Sequence, residues 1–451
     1  MHGRFTMLRR VAAAGLIGST IEWFDFFLYA MMSALVFDHV FFPKLNSTAG
    51  SLASFATFGA GFVARPVGSL LMGHFGDRVG RKSALVVSLV VMGTSTFAIG
   101  LLPGYNSIGV AAPAILTALR LLQGLSLGGE WSGAVTLAME HAPDRKRGWW
   151  AAWAQFGAMG GIMLSSGTVL LLSENLTNRQ FMDWGWRIPF LASGVLLLVG
   201  LFVRLRVAES PVFQEISTEG TQVTVPVAEA VRRHSLSMLR AGGMHLMVAG
   251  FATTLLTFYI PYGVKHVHFS RTDMLKVVFL ATVVTCLLSP FLAGLSDRFG
   301  RRTVYVVGTT LGGIGAFTSF LLLDVGTVPV AVIGILCLVL PVAATFQVQG
   351  AWFPELFPPA ARVTGSGFGS QMATVLVGGP APFVATALLD RGHGRPWWVA
   401  SYLCLLAVAS TIAALLTPDT RPARASAPAP IPAGGTRAQH ARQAEVARVR
   451  V

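Results

Sequence analysis

Two acids, Glu22 and Asp25, stand within IGSTIEWFDFFLY, residues 17–29, inside an otherwise uncharged run from Val11 to Phe37. A run of that length and polarity crosses a bilayer. An ionised carboxylate near its middle costs at least about 2.5 to 3.5 kcal/mol on insertion scales. Spaced i and i+3, both acids share one helix face, with Phe24, Phe27 and Leu28 on the other. Such a pair can exchange protons or bind a polar solute in a cavity; as plain structure it supplies counter-ions for buried arginines. Two arginines, Arg65 and Arg120, and a third acid, Glu130, also lie inside apolar runs. At 1.5 Å per residue, Arg65 sits about 12 Å and Glu130 about 15 Å from the inner ends of their runs. These two are predicted to pair. Arg120 and Asp25 lie about 14 and 18 Å from their outer ends and are predicted to meet, which leaves Glu22 as the surplus acid. On this reading Glu22, Asp25 and Glu130 are the proton-coupling candidates. An arginine, Arg120 first and Arg65 second, receives an anionic group, bidentately if it is a carboxylate. The acid it releases, Asp25 or Glu22, carries the proton. Gln123 shares the face of Arg120, and Gln155, Gln347, Gln349 and Gln371 sit on later helices, where each either hydrogen-bonds substrate or ties helices together. Tyr259 and Tyr262 are expected near an outer membrane edge as belt or gate residues. His245, His266 and His268, near membrane edges and at no metal-ligand spacing, read as surface or packing residues.

The elements that must position these groups follow from composition. Of 451 residues 53% are hydrophobic and 12% charged, with mean hydropathy +0.63, whereas soluble domains carry about 25% charge. The sequence therefore predicts an all-α polytopic membrane protein. Net charge +14 does not imply a nucleic-acid partner, because the basic residues fall in short loops between apolar runs. Cys286, Cys337 and Cys404 lie in apolar runs, so no disulfide framework or metal site is expected. Arg9 and Arg10 before an apolar run resemble a signal peptide, but the two acids interrupt it and an uncleaved first helix is expected. Runs of about 20 apolar residues predict twelve spans, among them 188–207 and 240–262. With the N-terminus inside, 24 of the 34 lysines and arginines fall on the inner side and seven on the outer, so both termini are predicted cytoplasmic. The expected organisation is a cytoplasmic N-terminus at 1–10, a six-helix bundle at 11–207, a cytoplasmic linker at 208–239, a second bundle at 240–416 and a disordered tail at 417–451.

An internal repeat supports that division. GHFGDRVGRK, from Gly73 to Lys82, recurs as GLSDRFGRR, from Gly294 to Arg302, each copy joining the second and third helices of its half. Glycines permit the tight turn, the acid accepts charge-assisted hydrogen bonds or caps a helix, and the basic cluster holds the loop inside. Gly73, Asp77, Arg78, Gly80 and Arg81, with Asp297, Arg298 and Arg301, are thus the candidate conformational latch. The eleventh span carries Gly365, Gly367, Gly369, Gly378, Gly379, Pro380 and Pro382, which makes it the most breakable helix of the second half.

These features resemble the major facilitator superfamily, and more closely its metabolite:proton symporter family. The resemblance runs over nearly all of residues 11–416. It rests on IEWFDFFLY (21–29), ARPVGSLLMGHFGDRVGRK (64–82), RLLQGLSLGGEWSGA (120–134), EHAPDRKRG (140–148), WGWRIPF (184–190), ESPVF (209–213), DRFGRR (297–302) and ELFPPAARVTGSG (355–367). It implies the major facilitator fold of two six-helix pseudo-repeats in a bacterial inner membrane. It also implies proton-driven uptake of a small metabolite, either a carboxylate such as a dicarboxylate, citrate or shikimate, or a zwitterion such as proline or betaine. The interior arginines favour an anion. A proton-driven drug exporter is the remaining transport alternative. No nucleophile with its base, nucleotide loop or metal cluster stands in the aqueous segments, so neither enzymatic activity nor a cofactor beyond the proton gradient is expected, and a monomer is expected.

Overall fold

In this computed structural model residues 2–218 and 226–420 are described; the tail expected to be disordered lies, from residue 421 onward, outside them. Apolar length dictates the architecture. Twelve helical segments are long and apolar enough to cross a membrane: α1 (Met7–Ser33), α2 (Leu52–Arg78), α3 (Arg81–Leu101), α4 (Ala111–His141), α5 (Asp144–Asn175), α6 (Arg187–Leu205), α7 (Ser235–Lys265), α8 (Lys276–Phe299), α9 (Arg301–Leu323), α10 (Val328–Glu355), α11 (Pro359–Arg391) and α12 (Trp397–Leu415). Val63, Leu198, Phe291 and Leu405 are each more than 60% exposed on these helices. Isolated in water, that exposure would be costly; facing lipid tails it costs nothing.

The segment predicted as a polar linker contains two short helices, Pro211–Thr218 and Pro226–Arg233, each begun by a proline at the position where a missing N–H costs nothing. α7 starts at Ser235, five residues earlier than the hydropathy pattern suggests. Its first turn is amphipathic and falls below a hydropathy threshold.

Two departures from regular helix matter for the site. α11 is π-helical over Thr374–Gly378 and resumes as α-helix at Ala381–Arg391, at the breakable Gly-Gly-Pro stretch. α7 carries a second π-turn at Leu255–Tyr259. Such turns free backbone groups and interrupt packing. Tyr259 and Tyr262, expected at a membrane edge, are instead buried in the apolar core of the second half. Tyr259 Oη shares a hydrogen bond with Ser319 Oγ (2.7 Å), Tyr262 Oη donates to Asp324 (3.0 Å), and the Tyr259 ring stacks on Phe320 at 4.7 Å. α2 and α4 cross so closely that a Cβ on Gly124 would lie 2.2 Å from the Gly61 carbonyl oxygen. That approach brings Arg65 and Arg120, from the two helices, to one locus.

Candidate functional site

A cavity of about 2230 Å³ runs between the helices, from Glu130, Trp131, His245 and Gln371 at mid-helix to Lys265 and Lys276 at the ends remote from the Asp77 and Asp297 loops. Closed ligand pockets occupy about 300–1,000 Å³, so this is an open vestibule. Arg65 is on its wall.

Arg65 and Arg120 are 4% and 1% exposed, and neither has an ion-pair partner among the described residues. Aromatic faces hold them. The Arg65 guanidinium lies 4.4 Å from the Phe26 ring and 4.6 Å from Phe62; that of Arg120 lies 4.8 Å from Phe26, 4.3 Å from Tyr29 and 4.8 Å from Phe58. Cation–π contact offsets part of the desolvation cost but leaves donors unused. Nε and Nη2 of both arginines are buried without a hydrogen bond. Two such groups in one place constitute a site waiting for an anion.

Arg120 and Asp25 do not touch, contrary to the sequence expectation; a hydrogen-bonded chain joins them. Arg120 Nη1 donates to Gln123 Oε1 (3.0 Å), Gln123 Nε2 donates to Thr96 Oγ1 (2.8 Å), and Thr96 Oγ1 donates to Asp25 Oδ2 (2.9 Å). Every donor points toward the carboxylate. The Thr96 hydroxyl also lies 3.0 Å from the Met92 carbonyl, so its proton has a second acceptor whenever Asp25 itself carries one.

Nor does Arg65 pair with Glu130. Glu130 bonds instead to Arg204 Nη2, which also reaches Glu22 Oε1 (3.4 Å), while Arg204 Nη1 donates to the Leu85 carbonyl and Ser88 Oγ to Glu130 Oε2 (3.0 Å). Arg204 is 4% exposed, near the inner end of α6, where loop-charge counting assigns it to the cytoplasmic side. One sequence signal marked it. A Cβ on Gly18 would lie 2.2 Å from Arg204 Nη2, so the small residue one turn before Glu22 makes the slot for its guanidinium. Three interior acids therefore face three arginines, not two. Glu22 and Glu130 share Arg204, Asp25 has no cation in contact, and Arg65 and Arg120 have no anion.

The duplicated loops meet helix N-termini of the opposite half. Asp77 accepts from Val363 N (3.3 Å), Thr364 N (3.0 Å) and Thr364 Oγ1 (2.8 Å) at the start of α11. Asp297 accepts from Gly148 N and Trp149 N, both at 2.9 Å, near the start of α5. Each acid thus serves as the N-cap of a helix in the other repeat, satisfying orphan N–H groups at a positive dipole end. Arg81 lies 3.7 Å from Asp77 and 3.4 Å from Glu140, to which Arg362 also donates (3.0 Å). Arg301 repeats this with Asp297 (2.7 Å) and Glu355 (3.3 Å). A Cβ on Gly73 would meet Thr364 Cα at 2.6 Å, and Gly80 has φ +131°, so both positions require glycine for the docking and the turn. Arg78 and Arg298, expected in the latch, are exposed and take no part in it.

Gln155 and Gln347 are buried off the cavity wall, where Gln155 Nε2 donates to the Gln347 carbonyl (3.1 Å); they join α5 to α10 and do not face solute. Gln123 serves the relay. His245 departs from its expected surface place: it is 9% exposed and on the cavity wall, with Nδ1 2.7 Å from Gln349 Oε1. Because α7 begins at Ser235, this histidine lies ten residues into the span.

The sequence profile of the Major Facilitator Superfamily matches residues 15–373 and 244–437. The chain is 42% identical over 420 residues to the inner membrane metabolite transport protein YhjE of Escherichia coli (strain K12), covering 91% of this chain and 94% of that one. It is 38% identical over 416 residues to the shikimate transporter of the same strain, covering 92% and 95%. To that strain's proline/betaine transporter it is 32% identical over 433 residues, covering 94% and 86%. Among solved structures, the proton:xylose symporter XylE bound to 6-bromo-6-deoxy-D-glucose superposes with TM-score 0.72 at 15% identity, covering 93% of this chain and 97% of that one.

Proposed function

This chain belongs to the Major Facilitator Superfamily, and from that premise we propose that it is a proton-coupled symporter importing a small organic anion. Arg120 and Arg65 receive the carboxylate, and Asp25 carries the proton. The observation that carries the reading is the pair of buried guanidinium groups beside Phe26, with aromatic but no acidic neighbours. A carboxylate arriving there supplies the missing acceptors.

Coupling runs through the relay. While Asp25 is ionised, Thr96 and Gln123 are oriented toward it, and Gln123 holds one Arg120 nitrogen. Protonated Asp25 turns from acceptor to donor, Thr96 gives its hydrogen to the Met92 carbonyl, and Gln123 loosens its hold on Arg120. An anion and a proton thereby enter together, and the interior charge after loading matches the charge before. The Glu22–Arg204–Glu130 cluster holds one more carboxylate than cation and is a second place for a proton. It lies between the cavity and the inner end.

With the duplicated loops cytoplasmic, as the loop charges favour, the cavity opens outward and the Asp77 and Asp297 caps close the inner end. Release of these caps lets the two repeats rock about the site. The protein works as a monomer, multi-pass in the inner membrane with both termini cytoplasmic. The proline/betaine relative supports a second reading, transport of a zwitterion. Against it, the aromatic faces that would hold an ammonium group already hold Arg65 and Arg120. The deciding experiment is uptake into proteoliposomes under an inward proton gradient, comparing dicarboxylates, tricarboxylates and shikimate with proline and betaine. Gradient-dependent uptake of an organic acid, lost in Arg120→Ala, is expected. Uptake of zwitterions alone, or full activity in Arg120→Ala, would overturn the assignment.

A further inference from the structure

The mid-helix end of the cavity holds one more polar group, whose chemistry is fixed by its neighbours. Gln349 Nε2 lies 3.0 Å from Tyr305 Oη and 3.4 Å from the Met244 carbonyl, and Tyr305 Oη itself donates to that carbonyl. Both partners accept from the Gln349 amide nitrogen, so its Oε1 is the atom facing His245. An amide oxygen only accepts. The hydrogen of His245 is therefore on Nδ1, donated across 2.7 Å to Gln349. Nε2 is left as an unprotonated acceptor with no partner among the described residues, on a ring that lines the cavity.

We propose that His245 is a specificity-determining residue whose Nε2 accepts a hydrogen bond from a hydroxyl of the transported anion. This rests on the organic-anion reading above and narrows it to carboxylates that carry a hydroxyl group. The surroundings select the donor. Arg65 lines the same cavity and lies within electrostatic reach of the ring, so an ammonium donor at Nε2 would be repelled by an unpaired guanidinium, whereas a neutral hydroxyl is not. Trp131 packs obliquely on the imidazole at 6.4 Å between centroids and fixes the ring plane. Gln371, on α11 across the cavity wall, is 7% exposed and has an amide oxygen with no partner, a second acceptor for a polyhydroxylated solute. The donors needed for a carboxylate come from the first repeat, on Arg65 and Arg120. The acceptors for hydroxyl come from the second, on α7 and α11. A solute offering both groups bridges the two halves.

The test reads competition constants from proton-coupled transport currents of the full-length protein on a solid-supported membrane. Matched pairs are compared: malate with succinate, lactate with propionate, and quinate with cyclohexanecarboxylate. The wild type should favour the hydroxylated member of at least one pair by about tenfold, the weight of one well-made hydrogen bond. Two substitutions separate recognition from structure. His245→Gln carries an amide oxygen near the Nε2 position and should keep most of the preference. His245→Asn keeps a donor to Gln349 but has nothing at Nε2, and its preference should fall to about one. A structural role predicts the reverse order, and finding it would overturn the proposal. Equal competition by both members of every pair would overturn it while leaving the organic-anion reading intact. Currents from proline or betaine and from no carboxylate would sink that reading and this one with it.

Discussion

Replacing Asp77 by Asn should shift the protein toward the state open at its inner end. Asp77 accepts three hydrogen bonds from the first turn of α11, at 2.8 to 3.3 Å. Bonds to a charged acceptor are worth about 1.5–3 kcal/mol each against about 0.5–1.5 kcal/mol for neutral ones, and a negative charge at a helix N-terminus adds about 0.3–1 kcal/mol. Asn keeps one oxygen and loses the charge, so about 2–3 kcal/mol of the closed state's advantage disappears. That is a factor of about 30 to 150 in the population ratio. Ser132 on α4 reports it: the residue is fully buried, and its Oγ lies 2.8 Å from where a Cβ on Gly367 of α11 would stand. In a background lacking Cys286, Cys337 and Cys404, a Ser132→Cys thiol should be alkylated from the inner side by a membrane-impermeant maleimide about 30 to 100 times faster when Asp77 is Asn. Asp297→Asn should act in the same direction through α5. Exposed Arg78 changed to Ala should do nothing. Unchanged labelling in both acid variants would refute the capping argument.

Other perturbations separate the two buried polar groups. Thr96→Val removes the hydroxyl between Gln123 and Asp25 and should flatten the pH dependence of substrate affinity while leaving affinity at low pH within about threefold; a retained pH profile would remove Thr96 from the relay. Arg204→Met leaves Glu22 and Glu130 buried without their cation, a loss of about 3–5 kcal/mol. It should appear as a collapse of thermal stability in detergent that added Glu22→Gln and Glu130→Gln largely restore. Failure of the triple variant to recover would mean that the guanidinium's bond to the Leu85 carbonyl carries the packing.

The fold was legible because membrane helices announce themselves by length and hydropathy, and the twelve spans rest on no tertiary detail. Duplication of the Asp77 and Asp297 loops likewise marked equivalent places before any contact was known. Pairing was less legible. Rise per residue locates depth along a helix but says nothing of which face it shows, so Arg65 and Glu130 at similar depth prove to serve different partners. Arg204 escaped because a single basic residue near a span's inner end looks like topogenic charge until Gly18 is seen to vacate its slot. His245 escaped because α7 extends by more than a turn beyond its most apolar stretch. Tyr259 and Tyr262 escaped because an aromatic near a span end reads as interfacial wherever the depth of the neighbouring helices is unknown. The Thr96 relay was invisible for a different reason. A threonine in an apolar helix has no signature until another helix presents a carboxylate to it.

The link between Asp25 and Arg120 is tested most directly by comparing exchange with accumulation in Asp25→Asn proteoliposomes. Asn preserves the shape at Asp25 and its bond from Thr96 but cannot take up and release a proton. Exchange of labelled organic acid across the membrane without a gradient should continue at a rate near that of the wild type, while an inward proton gradient should no longer drive accumulation. Uphill accumulation by Asp25→Asn at the wild-type level would contradict the assignment of Asp25 as the proton carrier.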